Sequence, residues 1–247
     1  MYLQITTRCN MTCPHCMFSC SARGKDMTLE TVKEAIAFQE QLGSNQQIFI
    51  GGGEPTMHPQ FWEIVGLMMG VNAEWADGSG VPAVGLVTNG KNTEIALKLA
   101  MLAQTGAMSV SLSCDQYHEP IDERVVRAFT PVRNEFGEIR RRENDCRDLR
   151  GNIAFVSDIG RAHRLGYGQT RGCNDCDYMV VPDGTIFRCS CRKERLGNVR
   201  DRDCAFHDDL LYDHMGCTTT DGKLVKHDGV WMTKEQHAEL LAEKKVA

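Results

Sequence analysis

What the chain lacks narrows it first. No apolar run approaches the roughly 20 residues of a membrane-spanning helix, and no basic segment followed by an apolar stretch marks an export signal. The expectation is a cytoplasmic protein with no membrane partner. Positive charge is also in deficit: 28 Lys and Arg against 33 Asp and Glu leave a net charge of -5 and a pI near 5.9. A generic nucleic-acid binder needs an electropositive face to displace phosphate counterions, so that class is disfavoured. Internal repeats and low-complexity tracts are absent too. With 247 residues and 42% apolar content, the chain can bury around 70% of its unfolded surface, enough for one sizeable core and a small appendage.

Cysteine, by contrast, is abundant. The twelve cysteines gather mainly at 9 to 20 and 173 to 217, and without an export signal metal ligation in a reducing compartment explains them better than disulfides do. Cys9, Cys13 and Cys16 follow the apolar run Met1 to Ile5 with the spacing Cys-x3-Cys-x2-Cys. Three thiolates on one loop suit three corners of a cubane iron-sulfur cluster and leave one iron open to other ligands. A structural zinc or a closed cluster needs a fourth ligand, and Cys20 is the nearby candidate. From the triplet alone, both readings stand.

Beyond the triplet, short apolar runs alternate with helical periodicity, the pattern of βα units on a parallel sheet. Strands are expected at 1–5, 47–50, 83–87 and 108–113, with a further one at 152–156. Thr28 caps a first helix stopped by Gly43, and Pro59 opens a second with Gly70 beyond it. Ile95 to Ala103 mark a third, and a shorter fourth ends near Pro131. Residues 138–151 mix five arginines with four acids and read as a solvated connection, with an anion-binding patch as the alternative.

In parallel βα folds the loops after the strands converge on one mouth. Four such loops carry Cys9 to Cys16, Gly51-Gly52-Gly53-Glu54-Pro55, Thr88-Asn89-Gly90 and Ser111 to His118. The glycines permit positive φ and close ligand approach. No Gly-Lys-Ser/Thr follows them, and a carboxylate stands where a phosphate binder wants donors, so carbonyls and Glu54 suit an ammonium group instead. A tight structural turn is the plain alternative. Ser111 and Ser113 share one strand face by alternation, and Asn89-Gly90 also reads as a simple turn.

Together the cysteine triplet, the Gly-Gly-Glu-Pro stretch and Ser111 to Asp115 resemble the radical S-adenosylmethionine (SAM) enzymes. The resemblance implies a partial parallel (β/α) barrel. Cys9, Cys13 and Cys16 would hold a 4Fe-4S cluster, with the amino and carboxylate groups of SAM on the open iron. Gly51, Gly52, Gly53, Glu54 and Pro55 would receive the SAM amino group; Ser111, Ser113 and Asp115 would face its ribose or methionine; Thr88 and Asn89 would line the same site. It further implies reductive cleavage of SAM to a 5'-deoxyadenosyl radical that abstracts hydrogen, with electrons from a flavodoxin- or ferredoxin-type donor. His15 stands where the family usually has an aromatic residue beside adenine.

From about residue 165 the character changes. Cys173, Cys176, Cys189, Cys191, Cys204 and Cys217 surround Val180 to Phe187, a hairpin turning on Pro182-Asp183-Gly184. A segment this small needs a metal or cluster to hold it. Cys173, Gly184 and Cys189 resemble the short SPASM/twitch-like extensions that bind an auxiliary cluster; zinc at Cys173-x2-Cys176 and Cys189-x-Cys191 is the alternative. Cys173, Cys176, Cys189 and Cys204 are taken as its ligands.

The expected architecture is therefore a partial barrel over 1–164, a cysteine-rich extension over 165–232 and a helix over 233–247, where Thr233 and Gln236 form a capping box. The expected activity is SAM-dependent hydrogen abstraction from a peptide or a small molecule such as a nucleotide. A non-catalytic iron-sulfur electron carrier and a zinc-stapled binding module are the other two readings.

Overall fold

The computed structural model describes residues 1–41, 47–75, 82–130, 147–150, 156–168, 178–192, 195–200, 224–227 and 230–233. Strand β1 (Tyr2–Thr6) is followed by α1 (Leu29–Gln41), β2 (Ile48–Gly52), α2 (Phe61–Glu74), β3 (Val84–Thr88), α3 (Thr93–Gln104), β4 (Ser109–Ser113), α4 (Glu123–Phe129) and β5 (Arg147–Arg150). Then come α5 (Gly160–Arg164), β6 (Met179–Val180), β7 (Thr185–Phe187) and β8 (Arg195–Asn198). One sheet joins eight of these strands in the order β5-β4-β3-β2-β1-β6-β7-β8. The first six run parallel, as βα units require, and the last two follow through antiparallel pairings, β7 on β6 and β8 on β7. This mixed α/β sheet is consistent with a partial barrel.

The alternation of strand side chains builds the core directly. In register, Val180, Leu3, Ile50, Leu86 and Val110 stand side by side across five strands, and every one is fully buried. Burying each such side chain is worth about 1.5–3 kcal/mol. The opposite face of β1 is buried as well, with Gln4 and Thr6 at 0% exposure. Strand residues thus lie between two packed layers, which explains the nearly unbroken apolar runs.

The expected strands at 1–5, 47–50, 83–87 and 108–113 form within two residues of their predicted ends. Thr28 caps α1, its Oγ1 accepting from Thr31 N at 3.2 Å, while Gly43 lies outside the described residues. Two expectations need correction. Helix α2 runs through Gly70 to Glu74, because Val71, directly after that glycine, is buried one turn on from Met68; a mid-helix glycine costs about 1 kcal/mol, which that burial offsets. Part of the 138–151 connection is strand β5, paired in register with β4 at the sheet edge, a position where charged residues are tolerated and discourage further pairing. Thr233 ends strand β10 (Val230–Thr233), paired with β9 (Leu224–His227). Residues 234–247 lie outside the described residues, as does most of the strand expected at 152–156.

The hairpin on Pro182-Asp183-Gly184 forms as read. Gly184 takes φ +83, and Asp183 Oδ1 accepts from Thr185 N at 3.0 Å. The hairpin continues the main sheet through β6 on β1, and Tyr178, Val180 and Ile186 share the one core.

Candidate functional site

The loop after β1 leaves the sheet at Thr7 and returns at Met27, closed at its base by backbone and side chains. Thr7 N donates to Lys25 O at 2.9 Å, Cys9 N to Ser21 O at 2.7 Å and Met27 N to Ile5 O at 2.7 Å. Asp26 receives Thr6 Oγ1 at 2.6 Å and the Arg8 guanidinium at 3.0 Å. Cys9, Cys13, Cys16 and Cys20 all lie between these closures, so their sulfurs are carried on a braced loop.

The glycine stretch lies against this loop. Gly53 N donates to Thr6 O and Glu54 N to Arg8 O, both at 2.8 Å. Gly52 adopts φ +132, and a Cβ there would strike Thr6 O and Gln4; a Cβ on Gly53 would strike Arg8 O. Glycine is required here by the approach of two backbones. Pro55 opens a short 3-10 turn, Pro55–Met57.

Glu54 is almost fully buried, and its carboxylate turns inward. Oε1 accepts from Thr56 Oγ1 and Thr88 Oγ1 at 2.8 Å and from Thr56 N at 3.2 Å; Oε2 accepts from Asn89 N at 2.7 Å. Burial pushes its carboxyl above the ordinary range against the pull of these four donors. The side chain expected to meet an ammonium group thus ties the β2 loop to the β3 loop. Asn89 carries the link onward: its Nδ2 donates to Asn10 Oδ1 at 2.8 Å and to Cys9 Sγ at 3.8 Å.

The sulfurs differ in their surroundings. Burial raises the Cys9 thiol, while burial and the neighbouring sulfurs of Cys9 and Cys16 push Cys13 up to about 11. Cys16 is lowered to about 5, chiefly by a hydrogen bond with Cys20, with the Arg161 charge contributing. Cys20 is correspondingly raised and also donates to Gly52 O at 3.6 Å. It is buried at 3% exposure, whereas the other three are half-buried. Cys16 thus ionises readily, while Cys9 and Cys13 resist joining it as thiolates, a resistance that a positive group among the three would relieve.

Among the described residues, His15, Asp115 and His118 bring three potential ligand atoms within 4.8 Å of one another.

Across the mouth, Ser111 is buried and Ser113 half-exposed on the same face of β4, opposite the core residues Val110 and Leu112. Asp115 Oδ1 accepts from Tyr117 N at 2.8 Å and lies 2.8 Å from His118 Nδ1; Oδ2 lies 3.8 Å from His15 Nε2. The His15 ring meets Tyr117 and His118 with centroids 5.0 and 4.8 Å apart. Burial lowers the His15 pKa, so its imidazole is neutral near pH 7. Among the described residues its buried Nδ1 has no hydrogen-bond partner, leaving one polar atom for a ligand beside a flat, π-rich wall. That combination fits a nucleoside base.

Thus Cys9, Cys13, Cys16, Gly51 to Pro55, Thr88, Asn89, His15, Ser111, Ser113 and Asp115 gather at the C-terminal ends of β1 to β4. Cys173, Cys176 and Cys204 lie outside the described residues. Cys189 sits just past β7 with its Sγ 2.6 Å from that of Cys191. Sequence reasoning missed Tyr117, Arg161 and Arg192. Arg192 donates to Gln4 Oε1 at 2.6 Å and lies over the Phe18 ring, 5.3 Å from its centroid. Its only local signal was its place beside Cys189 and Cys191.

Fold and site are those of a mixed α/β sheet, consistent with a partial βα barrel, whose mouth carries a three-cysteine loop. A family model described as the Radical SAM superfamily matches residues 3–135, and the chain belongs to that superfamily, whose members use a 4Fe-4S cluster and SAM. The chain is 31% identical over 128 residues to the mycofactocin maturase MftC of Mycobacterium ulcerans (strain Agy99), covering 49% of this chain and 30% of the relative. It is 28% identical over 166 residues to the GTP 3',8-cyclase of Actinobacillus succinogenes (strain ATCC 55618 / DSM 22257 / CCUG 43843 / 130Z), covering 64% and 45%. The chain thus spans less than half the length of each. Among solved structures, BtrN in complex with AdoMet and 2-DOIA shares the fold, with a TM-score of 0.53 at 16% identity over 85% of this chain and 82% of that one. No helix among the described residues is long and apolar enough to cross a membrane.

Proposed function

We propose that the chain is an enzyme that cleaves SAM reductively and abstracts hydrogen from a peptide or small-molecule substrate. The carrying observation is that Cys9, Cys13 and Cys16 lie half-buried on one braced loop against the glycine stretch, while Cys20 is buried and committed to Cys16 and Gly52 O. Those three would hold the 4Fe-4S cluster. When bound, cluster and SAM supply one-electron cleavage of the sulfonium and hydrogen-atom abstraction.

The protein's own residues orient and enclose. The backbone of Gly51 to Gly53 would meet the amino end of SAM, with Glu54 and Pro55 shaping that loop. His15 and Tyr117 would flank the base, and Ser111, Ser113 and Asp115 would face the sugar or methionine. Thr88 and Asn89 brace Glu54 and Cys9 and so act on the site through them. A flavodoxin- or ferredoxin-type donor would supply electrons, and Cys173, Cys176, Cys189 and Cys204 would bind a second cluster or zinc. The relatives' names, a maturase and a GTP cyclase, support both a peptide and a nucleotide as substrate class.

Anaerobic reconstitution with iron and sulfide, followed by dithionite and SAM, tests this proposal. 5'-Deoxyadenosine and methionine are expected. Their absence from a cluster-loaded protein favours an electron carrier, and zinc bound without sulfide favours a binding module.

A further inference from the structure

Arg161 stands far from the cysteine loop in sequence and against it in space. Its Nη1 donates to Cys13 O at 2.9 Å, its backbone N to Cys16 O at 2.9 Å, and its Nη2 to Cys20 O. One residue therefore ties three carbonyls spread over eight residues of loop. Among the described residues no carboxylate pairs with its guanidinium, so its charge stays directed at the loop. Gly160 lets the chain come this close: it adopts φ +62, and a Cβ there would collide with Met17 O. Ser19, at φ +58, bends the loop just before Cys20, whose carbonyl Nη2 reaches.

A planar guanidinium with fixed, divergent N–H groups can span two carbonyls that a lysine ammonium reaches only one at a time. Hydrogen bonds from a charged donor are also stronger than neutral ones. We propose that Arg161 is a positioning residue that holds the Cys13 to Cys20 segment in its cluster-binding shape and places one positive charge beside the cluster. This rests on the cluster assignment above. Two effects follow. The fixed loop slows cluster release, because two ligands must swing out for iron to leave. The fixed charge favours the reduced, more negative cluster and so raises its potential.

The test compares the parent chain with Arg161→Ala, Arg161→Lys and Gly160→Ala, each checked for native circular dichroism. Iron release to a chelator and the midpoint potential are measured on reconstituted protein. Hydrogen exchange of residues 9–21 is measured on cluster-free protein. R161A should release iron on the order of a hundredfold faster, the lower end of what losing two charge-assisted hydrogen bonds allows, and shift the potential downward. R161K should restore most of the potential but not the slow release. G160A, which keeps the arginine but displaces it, should also release iron faster. In cluster-free R161A, residues 13–20 should exchange faster while β1 to β4 stay unchanged. Parent-like release and potential in R161A overturn the proposal. If the parent assembles no cluster, the assignment above fails on its own, and unchanged exchange over 13–20 in R161A overturns the positioning role separately.

Discussion

Replacing Glu54 with alanine removes the acceptor for two backbone N–H groups and two hydroxyls in a nearly fully buried setting. The hydroxyls of Thr56 and Thr88 can rotate toward other acceptors. The N–H groups of Thr56 and Asn89 cannot. Leaving a buried donor unsatisfied costs about 1–3 kcal/mol, so the pair accounts for about 2–6 kcal/mol, a large share of the about 5–15 kcal/mol that holds a typical domain. Glu54→Gln keeps an oxygen for the threonines but sets an amide N–H2 against Asn89 N–H, for a loss of about 1–3 kcal/mol. Denaturant unfolding of ligand-free protein, followed by circular dichroism, reads both. A carboxylate that served only to hold the SAM ammonium would give the opposite result: unchanged ligand-free stability in E54A with SAM binding lost. An E54A protein within about 0.5 kcal/mol of the parent would refute the inward, structural role of this carboxylate.

Burial raises the Glu54 pKa, so the native state holds its proton more tightly than the unfolded chain. The stability this group contributes is full below the unfolded value of about 4.3 and declines as pH rises through the raised native value; the stability-versus-pH curve of E54Q should lack that decline. Gly52→Ala should cost more than about 1 kcal/mol, since φ +132 and the contact with Thr6 O both oppose a Cβ; a melting temperature equal to the parent's contradicts this. Cys20→Ser should keep the iron and sulfide content of reconstituted protein, whereas Cys16→Ser should lose the cluster at this site; equal losses would make Cys20 a ligand.

Much of the mouth was legible in the sequence because it depends on local features. The runs ending at Ile5, Ile50, Val87 and Ser113 are short apolar stretches set between helical patterns, and the motifs follow them within a few residues. Alternation alone placed Ser111 and Ser113 on one face. Strand β5 was not legible, since Arg147 to Arg150 has no apolar period and is defined by its register with β4. The role of Glu54 was hidden for another reason: a Gly-Glu-Pro stretch does not say which way the carboxylate turns, and its partners Thr88 and Asn89 come from another loop. Arg161 lay beyond reach entirely. Its partners Cys13 and Cys20 are 148 and 141 positions away, and no local pattern encodes such a contact.

The most direct measurement is electron paramagnetic resonance of the reduced, reconstituted chain with and without SAM, in a variant whose Cys173, Cys176, Cys189 and Cys204 are replaced by alanine. Cys9, Cys13 and Cys16 alone should then retain about four irons and four sulfides, and SAM should change the reduced signal by binding the iron that no cysteine holds. A reduced cluster whose signal is indifferent to SAM, or zinc in its place, would contradict an open iron at this loop.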